Sequence, residues 1–233
     1  MKSCSRVFVL GVLLAGTCIG AQEPAAPPAT LESVLAQMDE AAERFRSAAA
    51  DVVSEQYQKV VDETDTQTGR ISFLRRGHEM QMLLQIRQPD LKEVLVKNGK
   101  AQLYQPRIDQ VTEYALGQSR EDSNSMVALG FGGRGHDLLK SFEVKLAGAE
   151  VLDGVQVFRL EITPKSDRVR NMFSHITLWV DAERDVTLRQ VFTEPSGDYR
   201  RASYTNIQLN PHLSEDLFKL NTTGHTKVVR PQG

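Results

Sequence analysis

The amino-acid sequence predicts a mainly β protein with a few helices: a long antiparallel meander covered by an N-terminal helix and a helical insert. Three observations carry this prediction. Apolar residues alternate with a period of two over many segments, short turn signals separate those segments, and no strand–helix–strand alternation occurs. The last observation argues against a parallel α/β sheet, and a meander this long tends to curl.

Residues 1–21 are predicted to be a secretory signal peptide. Lys2 and Arg6 form a basic start, residues 7–19 are mostly apolar, and residues 19–21 supply small side chains at a cleavage site. The apolar run is shorter than the roughly 20 residues that a membrane-spanning helix requires. We therefore expect export to the periplasm and cleavage at the end of this segment.

Both cysteines, Cys4 and Cys18, lie in that leader, so the mature chain is expected to have no disulfide and no thiolate chemistry. Acylation of Cys18 is an open alternative, although Thr17 before it is unfavourable in a lipoprotein signal. Removing the leader leaves 26 basic residues against 30 acidic ones. This balance has none of the basic excess of a nucleic-acid binder.

Residues 22–30 are a Pro- and Ala-rich tether, and a single domain is expected over residues 31–233. A helix is predicted to begin after the N-cap Thr30. Its apolar residues recur at spacings of mostly three and four and form one stripe: Leu31, Val34, Leu35, Met38, Ala42 and Phe45. Packing against the core is the expected role of this stripe, and binding of a partner is the alternative.

About 10 to 11 strands are predicted on the two sides of the insert. Residues 80–87 alternate clearly between apolar and polar and predict a half-buried strand. Asn98 and Gly99 are a strong hairpin signal between two short strands. After the insert, strand patterns resume at residue 143 and continue to residue 209.

The insert, residues 119–142, is predicted to contain two short helices around a glycine cluster. Residues 130–135 match the dinucleotide pattern G-x-G-x-x-G, which binds phosphates only between a strand and a helix of a βαβ unit. That context is missing here. Glycine hinges around a mobile lid are the better interpretation.

No group of residues predicts catalysis, a cofactor or a metal site. There is no G-x-S-x-G nucleophile motif, and the acidic clusters fall on the solvated helix face or in turns. The five histidines are scattered without the spacing of metal ligands: His78, His136, His175, His212 and His225.

Four stretches, in their order and spacing, resemble the LolA-like outer-membrane lipoprotein carriers. Residues 69–76 are similar to a family strand that ends in a basic pair, and residues 94–111 to a hairpin followed by Tyr-x-Pro. Residues 179–192 are similar to a late hairpin, and residues 204–218 to the C-terminal stretch of the family. The resemblance implies an open, unclosed antiparallel β-barrel with a helical lid over an apolar cavity.

The same resemblance implies a function. Such a carrier takes the acyl chains of a lipoprotein, or another lipid, through the periplasm toward the outer membrane. Its partners would be an inner-membrane releasing complex and an outer-membrane acceptor, and we expect a monomer. Two alternatives stay open: a lipid-sensing regulator that binds a membrane-protein partner, and an enzyme built on this scaffold.

The cavity is expected to be lined by the alternating strand and by the amphipathic insert opposite it. The residues are Met80, Met82, Leu84, Met126 and Leu129. Arg76 is expected to point into the cavity, because side chains alternate along a strand and Leu74 is taken to face inward. The resemblance implies that this arginine holds the lid by hydrogen bonds.

Overall fold

A computed structural model describes residues 29–116 and 129–231 of the chain. The helices within these residues are α1 (Leu31–Arg44), α2 (Gly135–Ser141) and α3 (Asp167–Arg170), with 3-10 turns at Pro106–Ile108 and Glu215–Leu217. The strands are β1 (Ser47–Gln58), β2 (Glu63–Arg76), β3 (Glu79–Gln88), β4 (Lys92–Lys97), β5 (Lys100–Gln105), β6 (Gln110–Ala115), β7 (Phe142–Leu152), β8 (Val155–Pro164), β9 (His175–Asp181), β10 (Thr187–Thr193), β11 (Tyr199–Leu209) and β12 (Lys227–Val229).

All twelve of these strands belong to one sheet, in the order β12-β6-β5-β4-β3-β2-β1-β11-β10-β9-β8-β7. Neighbours are antiparallel except β12, which pairs in parallel with β6. The sheet does not close into a barrel. The predicted fold class is therefore confirmed, with one strand more than expected because the short β12 had no recognisable pattern.

Local sequence explains the first helix and the sharpest hairpin. The Thr30 hydroxyl accepts a hydrogen bond from the Ser33 backbone N–H at 3.2 Å, and the Ser33 hydroxyl in turn caps the Thr30 N–H, so α1 begins where predicted. Asn98 and Gly99 both adopt positive φ angles, 54° and 69°, which a tight two-residue turn requires. The hairpin β4–β5 follows from that turn.

The sheet has two faces, and both are covered in part. We call the face that packs against α1 the inner face, and the opposite one the outer face. Strand register puts two apolar clusters on the inner face: one between α1, α2 and strands β7–β9, the other on β1–β3, β10 and β11. A third cluster lies on the outer face of β2–β4, beneath the C-terminal part of the chain.

Several sequence-based expectations lie outside the described residues. These are the signal peptide, nearly all of the tether, the first part of the insert and Met126. The second predicted helix of the insert is present as α2.

Candidate functional site

The inner face of β3 brings together three of the residues expected to line a cavity. Met80 is buried, and Met82 and Leu84 are half-buried. All three pack in the inner-face cluster that also contains Phe73 of β2. Phe73 pairs with Met82 across the two strands, so the two side chains share that face. Leu129, the fourth described member of the expected set, lies instead in the cluster beneath α1.

A short segment crosses this inner face, and we call it the inner strap, residues 129–134. Its Phe131 side chain is fully buried. The Phe131 ring stacks on Phe73 with 4.8 Å between centroids and meets Tyr204 edge-on at 5.1 Å. Such aromatic pairs stabilise a contact beyond the area that they bury. Phe131 is thus the central apolar contact between the inner strap and the sheet.

The backbone of the inner strap lies very close to its neighbours. The Thr187 N–H donates to the Gly130 carbonyl at 2.9 Å. Gly132 has a φ of 71°, and a Cβ atom there would overlap the Phe45 ring. Glycine is needed here for both reasons, since larger residues rarely adopt this backbone conformation. The cluster first interpreted as hinges therefore also permits close packing.

Arg75 anchors the inner strap from β2. Its guanidinium donates to the Ala42 carbonyl at 2.7 Å and to the Gly132 carbonyl, and it lies 5.5 Å from the centre of the Phe45 ring. Partial burial lowers the pKa of the Arg75 guanidinium. One side chain therefore ties together the C-terminal end of α1, the inner strap and the sheet.

The orientation predicted for Arg76 is wrong. Arg76 lies on the outer face, where it forms an ion pair with Glu215. Leu74 shares that face and packs against Phe218. The assumption that Leu74 faces inward reversed the faces of β2, so the contacts expected of Arg76 belong to Arg75. Both Phe73 and Leu74 are apolar and buried, which is why alternation alone could not choose between them.

Two clefts flank the inner strap. The first, about 220 Å³, lies between the β2–β3 turn and α2 and includes Arg75, Met80 and Leu138 in its wall. The second, about 240 Å³, lies between the end of α1 and the β9–β10 turn and includes Met38, Phe45 and Val186. Gly132 and Gly133 line both clefts, so the inner strap separates one from the other.

Charged groups fix the start of α2 to α1. His136 donates from its backbone N–H to one oxygen of Asp39, and its Nδ1 lies 2.7 Å from the other. The His136 Nε2 atom is 3.2 Å from Glu32, and Arg134 approaches Asp39 at 3.5 Å. The hydrogen bond with Asp39 raises the pKa of His136.

The described residues contain no group of three or more His, Cys, Asp or Glu side chains placed to hold a metal ion. Within the same residues, no helix combines the length and apolarity needed to cross a bilayer. The inner face presents apolar surface beneath a strap that is fastened by Arg75, by a backbone bond from Thr187 and by the ion pair of Arg134 with Asp39. Sequence reasoning missed Phe131, although an aromatic residue between glycines, in Gly130-Phe131-Gly132, was a usable signal.

Fold and site together define a class of protein: an open antiparallel sheet whose inner face carries a helix and a glycine-flanked strap. The chain belongs to the family described as Outer membrane lipoprotein carrier protein LolA, whose model matches residues 47–221. The match runs from β1 to the segment that covers the outer face, and it confirms the resemblance found in the sequence.

Solved structures share this fold at low identity. An uncharacterised conserved protein from Thermus thermophilus is 12% identical with a TM-score of 0.56, over 86% of this chain and 98% of that one. MucB is 15% identical with a TM-score of 0.50, over 82% of this chain and 62% of MucB. The MucA/MucB complex from Pseudomonas aeruginosa gives 16% identity, a TM-score of 0.49 and coverages of 82% and 61%. A comparison with curated protein sequences gives no match.

Proposed function

We propose that this protein is a periplasmic carrier that binds acyl chains, of lipoproteins or of another lipid, on its inner face and delivers them toward the outer membrane. The observation that carries the proposal is the placement of Phe131. A buried aromatic side chain occupies the middle of an apolar sheet face, on a segment that is separate from the sheet and flanked by glycines. An acyl chain is the ligand that could take its place.

The energetics suit a ligand that must be both held and released. Burying an acyl chain stabilises the complex by roughly 0.8 kcal/mol per CH₂ group. Binding also has a cost, because the Phe131 contacts and the hydrogen bonds that hold the inner strap are lost. Each hydrogen bond from a charged donor contributes about 1.5–3 kcal/mol. Binding is then moderate, and the methionines Met80 and Met82 can adapt to chains of different shape.

Delivery requires partners. We propose that an inner-membrane complex releases cargo to the protein, that an outer-membrane acceptor receives it, and that the carrier acts as a monomer without catalysing a reaction. The lid-holding role, first assigned to Arg76, is proposed for Arg75, because its guanidinium donates to the Gly132 carbonyl of the inner strap and to the Ala42 carbonyl of α1. Residues Met80, Met82, Leu84 and Leu129 are proposed as cargo contacts or as the apolar surface next to them.

A single-tryptophan reporter tests the proposal directly. Trp179, the one native tryptophan, lies on the outer face with its indole N–H 2.5 Å from Glu150. In a Trp179→Phe background, Phe131→Trp puts the fluorophore on the inner strap. Adding a diacylated lipopeptide to the delipidated protein should change its emission, and native mass spectrometry should show a one-to-one complex.

The matched control is Phe218→Trp in the same background, which puts an equally buried reporter on the outer face. Its emission should stay constant through the titration. If the lipopeptide forms no complex and neither reporter responds, the carrier proposal is wrong. If both respond alike, the lipid does not act through the inner strap.

A lipid-sensing regulator that binds a membrane-protein partner is the second candidate, because it would use the same inner face. Transfer separates the two functions. A carrier loaded with lipopeptide should pass it to acceptor protein or vesicles, whereas a sensor should bind the lipid and keep it. An enzyme would convert the lipopeptide, and its mass would change during incubation.

A further inference from the structure

Beneath the inner strap, β10 presents polar atoms with unused hydrogen-bonding capacity. The Thr187 hydroxyl is fully buried and has no hydrogen-bond partner within the described residues, and the same is true of the Gln190 carbonyl oxygen Oε1. The Gln190 amide Nε2 contacts the Tyr204 hydroxyl at 2.6 Å. Within the described residues no other group is hydrogen-bonded to the Tyr204 hydroxyl, so its O–H proton can be donated to a ligand.

These groups face the inner side of the sheet. Gln190 pairs with Leu178 and Ala202 across the neighbouring strands, and both are inner-face residues. Thr187 lies directly under Gly130, where a Cβ atom would overlap its side chain. Phe131 meets the Tyr204 ring edge-on. The inner strap thus seals a small polar patch at the boundary between the two apolar clusters.

A buried polar atom without a partner destabilises a fold, and native proteins retain few of them. Two such atoms lie on one strand, at positions that pair with Val180 and Leu178 of β9, and the first of them is covered by the inner strap. Their unused capacity calls for a ligand that would satisfy them. The patch carries no formal charge. The guanidinium of Arg75, which reaches the inner strap from β2, already donates to two carbonyls. The ligand group must therefore be polar and uncharged, since an ionised carboxylate or phosphate would lose its hydration without gaining a cation.

We propose that Thr187, Gln190 and Tyr204 form a subsite for the carbonyl group of an acyl linkage, an ester or an amide. This inference rests on the proposed carrier function and specifies the ligand within it. When the inner strap lifts, the hydroxyls of Thr187 and Tyr204 donate to the carbonyl oxygen. The Gln190 carbonyl accepts from the N–H of an amide linkage. Burial raises the pKa of Tyr204, so its hydroxyl stays protonated as a donor.

Two soluble lipids that differ only in this carbonyl test the subsite. One is a 1-acyl lysophosphatidylcholine, and the other is its 1-O-alkyl ether analogue with the same chain length. Displacement of a fluorescent apolar probe should show that the parent protein prefers the ester by about three- to tenfold, the range expected for one neutral hydrogen bond. The preference is a ratio, so it does not depend on the affinity for the chain.

The key variant is Thr187→Val, which removes the unpartnered hydroxyl and keeps the shape of the side chain. Because that hydroxyl contributes no hydrogen bond to the folded protein, the thermal midpoint should be kept or raised while the preference for the ester decreases. A structural residue would behave in the opposite way. Tyr204→Phe is the second variant and should also reduce the ratio. Gln56→Leu, at a position of β1 away from the patch, is the control and should leave the ratio unchanged.

Each outcome separates this inference from the function on which it rests. If the parent protein binds the ester and the ether equally well, the subsite proposal is wrong, whereas the carrier proposal is unaffected. The subsite is also wrong if the ratio survives both Thr187→Val and Tyr204→Phe. If neither lipid nor any lipopeptide displaces the probe, the carrier proposal is wrong, and the subsite proposal that rests on it is wrong as well. Should Thr187→Val fail to fold, its hydroxyl supports the fold and the assignment to Thr187 is overturned.

Discussion

Two phenylalanines cover the two faces of the same part of the sheet, and they are held in different ways. Phe131 belongs to the inner strap and packs on Phe73. Phe218 belongs to what we call the outer cover, residues 211–226, and packs on Leu74, the next residue of the same strand. Both rings are almost completely buried. By burial alone the two covers would be equivalent.

Their anchors differ in number and kind. Polar anchors run along most of the outer cover. The Ser47 hydroxyl donates to the Pro211 carbonyl at 2.6 Å, the Asn221 side chain donates to Glu93 at 2.6 Å, and the hydroxyls of Thr223 and Thr226 donate to Asp109, each at 2.6 Å. The strand β12 then continues the attachment by pairing with β6. The inner strap itself is held by Arg75, by one backbone bond from Thr187 and, at its end, by the half-exposed ion pairs of Arg134 with Asp39 and Glu43 at 3.5 and 3.9 Å.

Equal burial with unequal anchoring indicates different roles. A cover with many independent anchors opens only when most of them break together, whereas a cover with few anchors opens at a lower free-energy cost. We therefore interpret the outer cover as permanent structure and the inner strap as the movable element. The adjacent residues Arg75 and Arg76 contact different covers: Arg75 bonds to Gly132 of the inner strap, and Arg76 pairs with Glu215 of the outer cover.

The strongest test of this comparison is truncation of the two rings. Phe218→Ala should lower the free energy of unfolding by about 3–5 kcal/mol, because it leaves a cavity among well-packed apolar side chains. Phe131→Ala removes an equally buried ring and should also destabilise the lipid-free protein. Acyl lipid should restore part of that loss for Phe131→Ala only, since the lipid can fill the space on the inner face. Thermal unfolding with and without lipopeptide measures both effects, and equal rescue of the two variants would contradict the comparison.

The next effect concerns an anchor of the outer cover. Glu93 accepts hydrogen bonds from the Asn221 backbone N–H at 3.0 Å and from its side chain. Glu93→Ala leaves both donors without this acceptor and should cost about 1–3 kcal/mol of stability. Glu93→Gln keeps one acceptor oxygen and should cost less. Chemical denaturation gives the stabilities, and lipid affinity should be unchanged in both variants; a lower affinity would link the two covers.

The two adjacent arginines offer a matched pair. Arg75→Leu removes the donor to Gly132 and adds apolar surface inside, so cargo should be held more tightly and transferred more slowly. Arg76→Leu removes a half-exposed ion pair with Glu215, which contributes roughly 0–1 kcal/mol, and should leave both binding and transfer unchanged. Lipopeptide transfer to vesicles, measured separately from affinity, distinguishes them. If Arg76→Leu alone impairs transfer, the assignment of Arg75 to the inner strap is wrong.

The smallest expected effect is a pH dependence where the inner strap continues into α2. The hydrogen bond with Asp39 raises the pKa of His136, and Glu32 and Arg134 are the other charged groups in contact with this pair. A raised pKa means that the stabilisation is fully present below about pH 6.5, the ordinary value for histidine, and is lost as pH rises through the raised pKa. The thermal midpoint should therefore decrease over that interval.

His136→Gln should flatten this part of the pH profile, because glutamine keeps a neutral donor and does not titrate. His212→Gln, at an exposed position of the outer cover, is the control and should retain the slope of the parent protein. A parent profile that is flat above pH 6.5, or one that His212→Gln flattens equally, would contradict the assignment to His136.

Local sequence patterns were sufficient for most of the architecture. The period of two in residues 80–87, the Asn98-Gly99 turn and the capping residue Thr30 each act within a few residues, so the chain shows them without knowledge of its fold. The resemblance to the family depended on the order of such stretches. The strand β12 was not predicted, because three residues are too few to show a period and its pairing with β6 joins segments far apart in the chain.

Strand alternation alone requires Arg75 and Arg76 to point to opposite faces, since it is a property of the backbone. Which of the two faces is the inner one depends on long-range contacts. Both faces of β2 are buried, one by Phe131 and the other by Phe218, and these residues are far from β2 along the chain. A local pattern of apolar residues records that a side chain is buried, but it holds no information about the segment that buries it. The choice of Arg75 as the anchor of the inner strap therefore depends on contacts that form only when the chain folds.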